Sequence, residues 1–200
     1  MRSWRCRRDV RWIAVLVLCF AAPAAHAEGL LGIFFDSNGQ TCSGSVPPAS
    51  YTTLYVVLQP AGSTYAGITG VEFRIDTSGA TGYMMANENQ ASGAIRLGSA
   101  LGSGCNIAFG SCQTGTLSVL SFQVLNGGTG IPDGTLRIVA KQQPSNPSFA
   151  CQLAVLCDAP EYTAVCVDAG FALLNPSGSR SCAGGRLPAE WSRVKELYRP

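Results

Sequence analysis

From Val71 the chain alternates without a break: Val71, Phe73 and Ile75 point one way, Glu72, Arg74 and Asp76 the other. Branched and aromatic residues at period two, with charges between them, predict a strand with one buried and one wet face. The stretch 67–76 is therefore the strand around which the chain is organised. It has a partner over 115–124, where Leu120, Phe122 and Val124 share a face. Two such strands need a second layer over their apolar sides, which implies a sandwich.

The rest of the chain supplies more short strands. Residues 30–36 read as a buried strand, and 51–59 as one that is apolar on both faces in its second half. Further strands are predicted over 82–87, 94–98, 105–110, 135–142, 152–157, 163–168 and 171–175. Asp36-Ser-Asn-Gly39, Pro47-Pro48, Pro60-Ala-Gly, Asn126-Gly-Gly and Pro144–Pro147 punctuate them. Roughly ten short strands with frequent turn signals predict an all-β, two-sheet antiparallel sandwich of jelly-roll or immunoglobulin-like type. The tail differs in kind. After a linker from 176, Pro188 to Arg199 reads as a short helix with Trp191, Val194, Leu197 and Tyr198 on one stripe. Three turns are marginal alone, so the stripe needs a surface to dock on, unless the tail serves sorting or partner binding.

The N-terminus reads as an address. Arg2, Arg5, Arg7, Arg8 and Arg11 precede an apolar run, Trp12 to Ala22, that is too short to span a bilayer. Ala25-His26-Ala27 fits the small-x-small cleavage rule. The predicted organisation is a signal peptide over 1–27, a sandwich domain over 28–175, and the linker with its amphipathic helix over 176–200. Acylation at Cys19 is the competing reading, but Leu18 before it is larger than such processing accepts. The chain is thus expected to be secreted, periplasmic or at the cell surface, meeting the membrane only through its leader.

Removing the leader changes the charge. Of 14 Lys/Arg and 12 Asp/Glu, it holds five arginines and one aspartate, leaving nine and eleven, a net of −2. That offers nothing to phosphates, so nucleic-acid binding is not expected. The single histidine, His26, leaves with it. Without histidine there is no Ser-His-Asp or Cys-His nucleophile and no His-ligated zinc. Asp36 and Asn38 have the spacing that opens a calcium loop, but Gln40 and Thr41 stand where further carboxylates belong, so a plain turn is expected. No metal or cofactor is predicted. Paired carboxylates of the glycosidase kind would have to come from Glu72, Asp76 and Glu88. Glu72 and Asp76 flank Arg74 on a face that reads as solvated scaffold, so no catalytic residue is assigned.

Cys42, Cys105, Cys112, Cys151, Cys157, Cys166 and Cys182 follow the leader. In an exported chain they are expected to pair, and gaps of this size are unlike Cys-x-x-Cys metal or redox sites. Cys105 and Cys112 bracket a turn-sized loop, and Cys157 and Cys166 bracket a turn at Ala159-Pro160. These are the predicted structural disulfides. Cys42, Cys151 and Cys182 remain, with one buried thiol left over. Exposed Tyr83, Met84 and Met85, with Trp191 and Leu197 of the tail, are the candidate partner-binding residues.

Val71-Glu-Phe-Arg-Ile-Asp76 followed by Gly115-Thr-Leu-Ser-Val-Leu-Ser-Phe-Gln-Val124 resembles the two best-marked strands of cohesin modules, which are jelly-roll sandwiches related to some carbohydrate-binding modules. The resemblance covers roughly residues 51–140, and Cys151 to Cys182 has no counterpart in it. The tail is similar to that of small exported bacterial proteins ending in Trp-x-x-Val-Lys-x-Leu-Tyr. Cohesins bind calcium-loaded dockerin modules through a sheet face, so the resemblance implies a non-catalytic module that binds another exported protein. A surface glycan is the alternative partner. Its aromatic platform is missing, because only Trp191 follows the leader and Tyr51, Tyr55, Tyr65, Tyr83 and Tyr162 are scattered.

Overall fold

The computed structural model describes residues 29–60, 67–128 and 133–177. The predicted signal peptide, Tyr65, Cys182 and the predicted tail helix with Trp191 and Leu197 lie outside the described residues. Thirteen strands are present among those described: β1 (Gly29–Phe34), β2 (Ser43–Gly44), β3 (Tyr51–Pro60), β4 (Ile68–Gly79), β5 (Tyr83–Gln90), β6 (Ala94–Ser99), β7 (Gly104–Gln113), β8 (Leu117–Asn126), β9 (Gly134–Val139), β10 (Leu153–Leu156), β11 (Ala164–Cys166), β12 (Asp168–Ala169) and β13 (Phe171–Leu174). They form an all-β sandwich. The smaller sheet runs β12-β1-β3-β8-β5, and the larger runs β11-β10-β4-β9-β13-β2 with the β6–β7 hairpin added to β4 through β7.

Period-two patterning placed β4 and β8 correctly as strands, but they do not pair. β4 belongs to the larger sheet and β8 to the smaller, so their apolar sides face each other across the core. Phe73 and Phe122 are 0% and 1% exposed, and Ile75, Leu120 and Val124 pack in the same cluster. The expected second layer over each strand is thus the other strand's own sheet.

Most pairings are antiparallel, as expected, yet both sheets are mixed. β1 pairs with β12 in parallel, and β13 with β2. The predicted single strand over 163–168 accounts for one of these departures. The chain leaves the larger sheet after β11, passes buried Val167, and enters the smaller sheet as β12. A short strand arriving by such a crossing joins the edge it meets, in whichever direction the chain is already running.

The predicted disulfides are corrected. Cys112 bonds Cys157 and Cys151 bonds Cys166, while Cys105 is free and buried. Cys42 is disulfide-bonded as well. Cys105 and Cys112 do not bracket a loop, because both lie in the continuous strand β7. Seven residues of extended chain hold their Cα atoms roughly 23 Å apart, far beyond disulfide reach. Cys166 sits opposite Leu153, two residues after Cys151 and four before Cys157, so the nearer cysteine takes it. Cys157 instead lies beside the start of β4, donating its amide to the Gly67 carbonyl at 3.1 Å, where the end of β7 brings Cys112. The expected left-over buried thiol exists, but it is Cys105.

Candidate functional site

The register across the larger sheet sets the surface it shows to solvent. Glu72 is level with Asn106 of β7 and Leu153 of β10, and Gly70 with Ala108 and Val155. Beyond them, Leu97 and Ile95 of β6 continue the rows on one side, Cys166 and Ala164 of β11 on the other. Two rows of outward side chains therefore cross the five strands β6-β7-β4-β10-β11. The row through Gly70 and Ala108 is low in its middle, since those residues carry little or no side chain, and its flanks are high. A Cβ on Gly70 would come to 3.0 Å from the Ile107 carbonyl oxygen, so any larger residue there would push β7 back by a few tenths of an ångström.

The result is a groove of about 380 Å³ between an Ile95–Leu97 wall and a Leu153–Val155 wall. Ile95 and Leu97 are 68% and 69% exposed, far more than bulky apolar residues in a sandwich usually are. The two disulfides brace this floor: Cys112–Cys157 ties the end of β7 to the end of β10 across the start of β4, and Cys151–Cys166 ties β10 to β11.

One end of the groove is polar but closed on itself. The loop after β9 folds over Glu72, whose two carboxylate oxygens accept the Ser145 amide at 3.1 Å and whose Oε2 also accepts the Ser145 hydroxyl. Lys141 Nζ stands 3.8 Å from that carboxylate and donates to Asn106 Oδ1 at 2.8 Å, and Asn106 Nδ2 donates to Ser145 Oγ at 2.7 Å. Glu72, expected on the wet face, is only 5% exposed because this loop covers it. Charge, donors and acceptors are matched within the cluster, which leaves the groove itself apolar and uncharged.

The other candidate carboxylates are engaged in the same manner. Glu88 accepts from Arg96 Nη1 at 2.6 Å, from the Ser99 hydroxyl at 2.8 Å and from the amides of Ala100 and Leu101. This network ties the end of β5 to the β6–β7 hairpin, and so one sheet to the other. Asp76 accepts the Ser78 amide at 3.1 Å. That bond, with help from the Arg74 and Arg137 charges and against partial burial, holds its carboxyl below the usual range. Each of the three closes its own local network, and none is paired with another across a cleft as glycoside hydrolysis requires. Asp36 likewise gathers the amides of Asn38, Gln40 and Thr41 on its oxygens. Burial pushes this carboxyl up, but those amide bonds outweigh it and lower it overall. Oxygens that already hold three N–H groups organise a turn.

The smaller sheet shows a second surface. The loop carrying Cys42 covers its β1 end, where Leu30, Phe34, Val57 and Tyr55 cluster with Phe171 and Leu173. The β3-β8-β5 part stays open. There Tyr51, Leu125 and Met84 are level with one another, and Thr53, Gln123 and Ala86 form the next row. Tyr51 is 61% and Met84 58% exposed. Asn87, in a left-handed backbone conformation (φ 56°), donates from Nδ2 to Gln123 Oε1 at 2.6 Å and borders the row on one side.

Of the sequence-predicted partner-binding residues described, only Met84 faces solvent. Tyr83 is 7% exposed, with its hydroxyl accepting from Asn175 Nδ2 at 2.9 Å, and Met85 packs against the core. Strand alternation forces this: in Tyr83-Met84-Met85 the middle residue must point opposite to its neighbours. Tyr51, Leu125, Ile95 and Leu97 were missed. Ile95 and Leu97 share a face of a short glycine-flanked strand, and period two alone marks that face as apolar without saying that nothing covers it.

No protein-family model matches the chain, and no curated protein does. Solved structures do. A cohesin module from a Clostridium perfringens family 33 glycoside hydrolase superposes with a TM-score of 0.54 at 8% identity, over 76% of this chain and 100% of that one. Its fold is a cohesin-like β-sandwich. The third ScaB cohesin of R. flavefaciens, solved in complex with a group 1 dockerin, matches at a TM-score of 0.50 and 12% identity, over 78% of this chain and 99% of that one. The seventh ScaB type I cohesin of Pseudobacteroides cellulosolvens matches at 0.50 and 11%, over 76% and 93%. The likeness extends well past residues 51–140, where the sequence resemblance lies. The β10–β11 hairpin and its Cys151–Cys166 disulfide stand in the stretch that the sequence could not align with that family.

Proposed function

We propose that the chain is an exported, non-catalytic module that binds another folded protein through the open part of its smaller sheet. The observation that carries this reading is the level row Tyr51–Leu125–Met84, set among Thr53, Gln123 and Asn87. An apolar centre with a polar, charge-poor border is how protein–protein interfaces are composed. The cohesin-like fold supports it, since one of the similar structures is held by a dockerin. The leader and the disulfides support export to an oxidising compartment. The partner is accordingly a folded, exported protein that offers apolar side chains within a polar rim.

The test uses the leader-processed chain as bait in culture fluid of its source, followed by titration of the captured protein in purified form. A single partner whose affinity falls about tenfold or more in Met84→Lys and Tyr51→Lys supports the reading; each change removes one apolar anchor. Undiminished binding by both variants overturns it. So does tight binding to, or cleavage of, a polysaccharide with no protein partner, which would establish the glycan alternative.

A further inference from the structure

We propose that the C-terminal segment 188–199 docks as an amphipathic helix in the groove of the larger sheet. This surface lies on the opposite sheet from the binding row, so the two readings stand or fall separately. The walls are on β6 and β10, three strand spacings apart in the order β6-β7-β4-β10. At strand spacing that is about 14 Å, and an α-helix with its side chains is about 10–12 Å across. The trough runs along the strands, with Ala108 and Gly70 as a floor low enough for large side chains. Such a groove fits a helix better than an extended peptide, which would leave its width unfilled.

The tail has the complementary form. Trp191, Val194, Leu197 and Tyr198 lie on one stripe of a helix, and Arg193, Glu196 and Arg199 lie on the opposite side. Trp191 to Tyr198 covers about 10 Å of helix axis. Twelve residues do not hold a helix in water without a surface to pack on. The groove in turn is uncharged, because Glu72, Lys141, Asn106 and Ser145 satisfy one another at its end.

The reach is sufficient. Ser177 donates its hydroxyl to Asp133 Oδ2 at 2.8 Å, which fixes the chain beside β9 just after it leaves β13. The groove lies two strands from β13, about 10 Å across, and about 30 Å along the strands. Asp133 is level with the Gly79 end of β4, while the groove crosses β4 at Gly70 and Glu72. The eleven steps from Ser177 to Pro188 extend up to about 36 Å, so this linker runs nearly straight. The docked tail would cover Ile95 and Leu97, whose exposure is otherwise unexplained.

Trp191 reports on this directly, since it is the only tryptophan left once the leader with Trp4 and Trp12 is removed. In the leader-processed chain its emission is expected to be blue-shifted and protected from acrylamide. Ile95→Lys and Leu97→Lys, at exposed positions on β6, should each lower the docked-to-free ratio about tenfold or more and raise quenching toward that of free tryptophan. Thr81→Lys, in the exposed turn between β4 and β5, should change nothing, and circular dichroism confirms that all three variants fold. Full solvent exposure of Trp191 in the unaltered chain overturns the proposal. Protection that survives both groove substitutions together also overturns it, by placing the tail elsewhere. Protection that fades on dilution overturns it in favour of a tail exchanged between two copies.

Discussion

The disulfide pattern allows the sharpest test of the tertiary structure. Cys112 and Cys157 are 45 residues apart in sequence, and closing a loop of that length takes about 4 kcal/mol of chain entropy from the unfolded state. The Cys105–Cys112 bridge suggested by sequence spacing would close a much shorter loop, worth about 2.5 kcal/mol on the same relation. The two patterns therefore differ in which substitution does the damage. The double variant Cys112→Ala/Cys157→Ala should lose about 4 kcal/mol. For a urea dependence of about 2 kcal/mol/M, the unfolding midpoint should fall by roughly 2 M. Cys105→Ala should lose only the packing of a small buried group, about 1 kcal/mol, and should release no other thiol. The assay is urea unfolding under non-reducing conditions, with thiol labelling of the denatured chain and mapping of the labelled peptides. A midpoint shift below roughly 0.5 M for the double variant would refute the entropic argument. A label appearing on Cys112 in Cys105→Ala would refute the pairing itself.

Glu72→Ala should cost about 2 kcal/mol, because the Ser145 amide and hydroxyl lose a charged acceptor and Lys141 loses its counter-ion; thermal melts of Glu72→Ala beside Glu72→Gln check this, and equal melting of both with the parent would sink it. Cys105 should resist alkylation at pH 8 in the folded chain and react once it is unfolded. Burial, with the Glu88 charge adding to it, pushes its thiol up from 9.0 to about 12. The unfolded thiol ionises near 9.0 while the folded one stays protonated, so the contribution of Cys105 is complete below that pH and is lost as pH rises toward 12. Urea midpoints of the parent and Cys105→Ala, followed from pH 8 to 11, should converge; parallel curves would contradict the burial argument.

Much of this fold was legible because strand formation is a local property. Alternation marked β4 and β8, and turn residues such as Asp36-Ser-Asn-Gly39 and Pro144–Pro147 marked where strands stop. Apolarity on both faces flagged the second half of β3, where Val56, Val57 and Leu58 are all fully buried. The candidate surfaces were only partly legible. Met84 is exposed as its sequence context suggests, while Tyr83 and Met85 beside it are turned inward by the strand's period of two. Glu72 looked solvated, because nothing near it in sequence announces that Ser145 will fold over it.

By itself, then, the sequence determined an all-β sandwich, the positions of nearly all its strands, and which side chains of each strand lie together. Those follow from a side-chain period of two and from turn residues that act over three or four positions. The tertiary structure alone decided that β4 and β8 face each other rather than pair, that Cys105 stays a thiol while Cys112 reaches Cys157, and that Ile95, Gly70 and Val155 line one groove. These depend on register between strands distant in sequence, and a shift of one residue would turn every side chain to the other face. Local pattern carries no information about that register; only the packed sheets fix it.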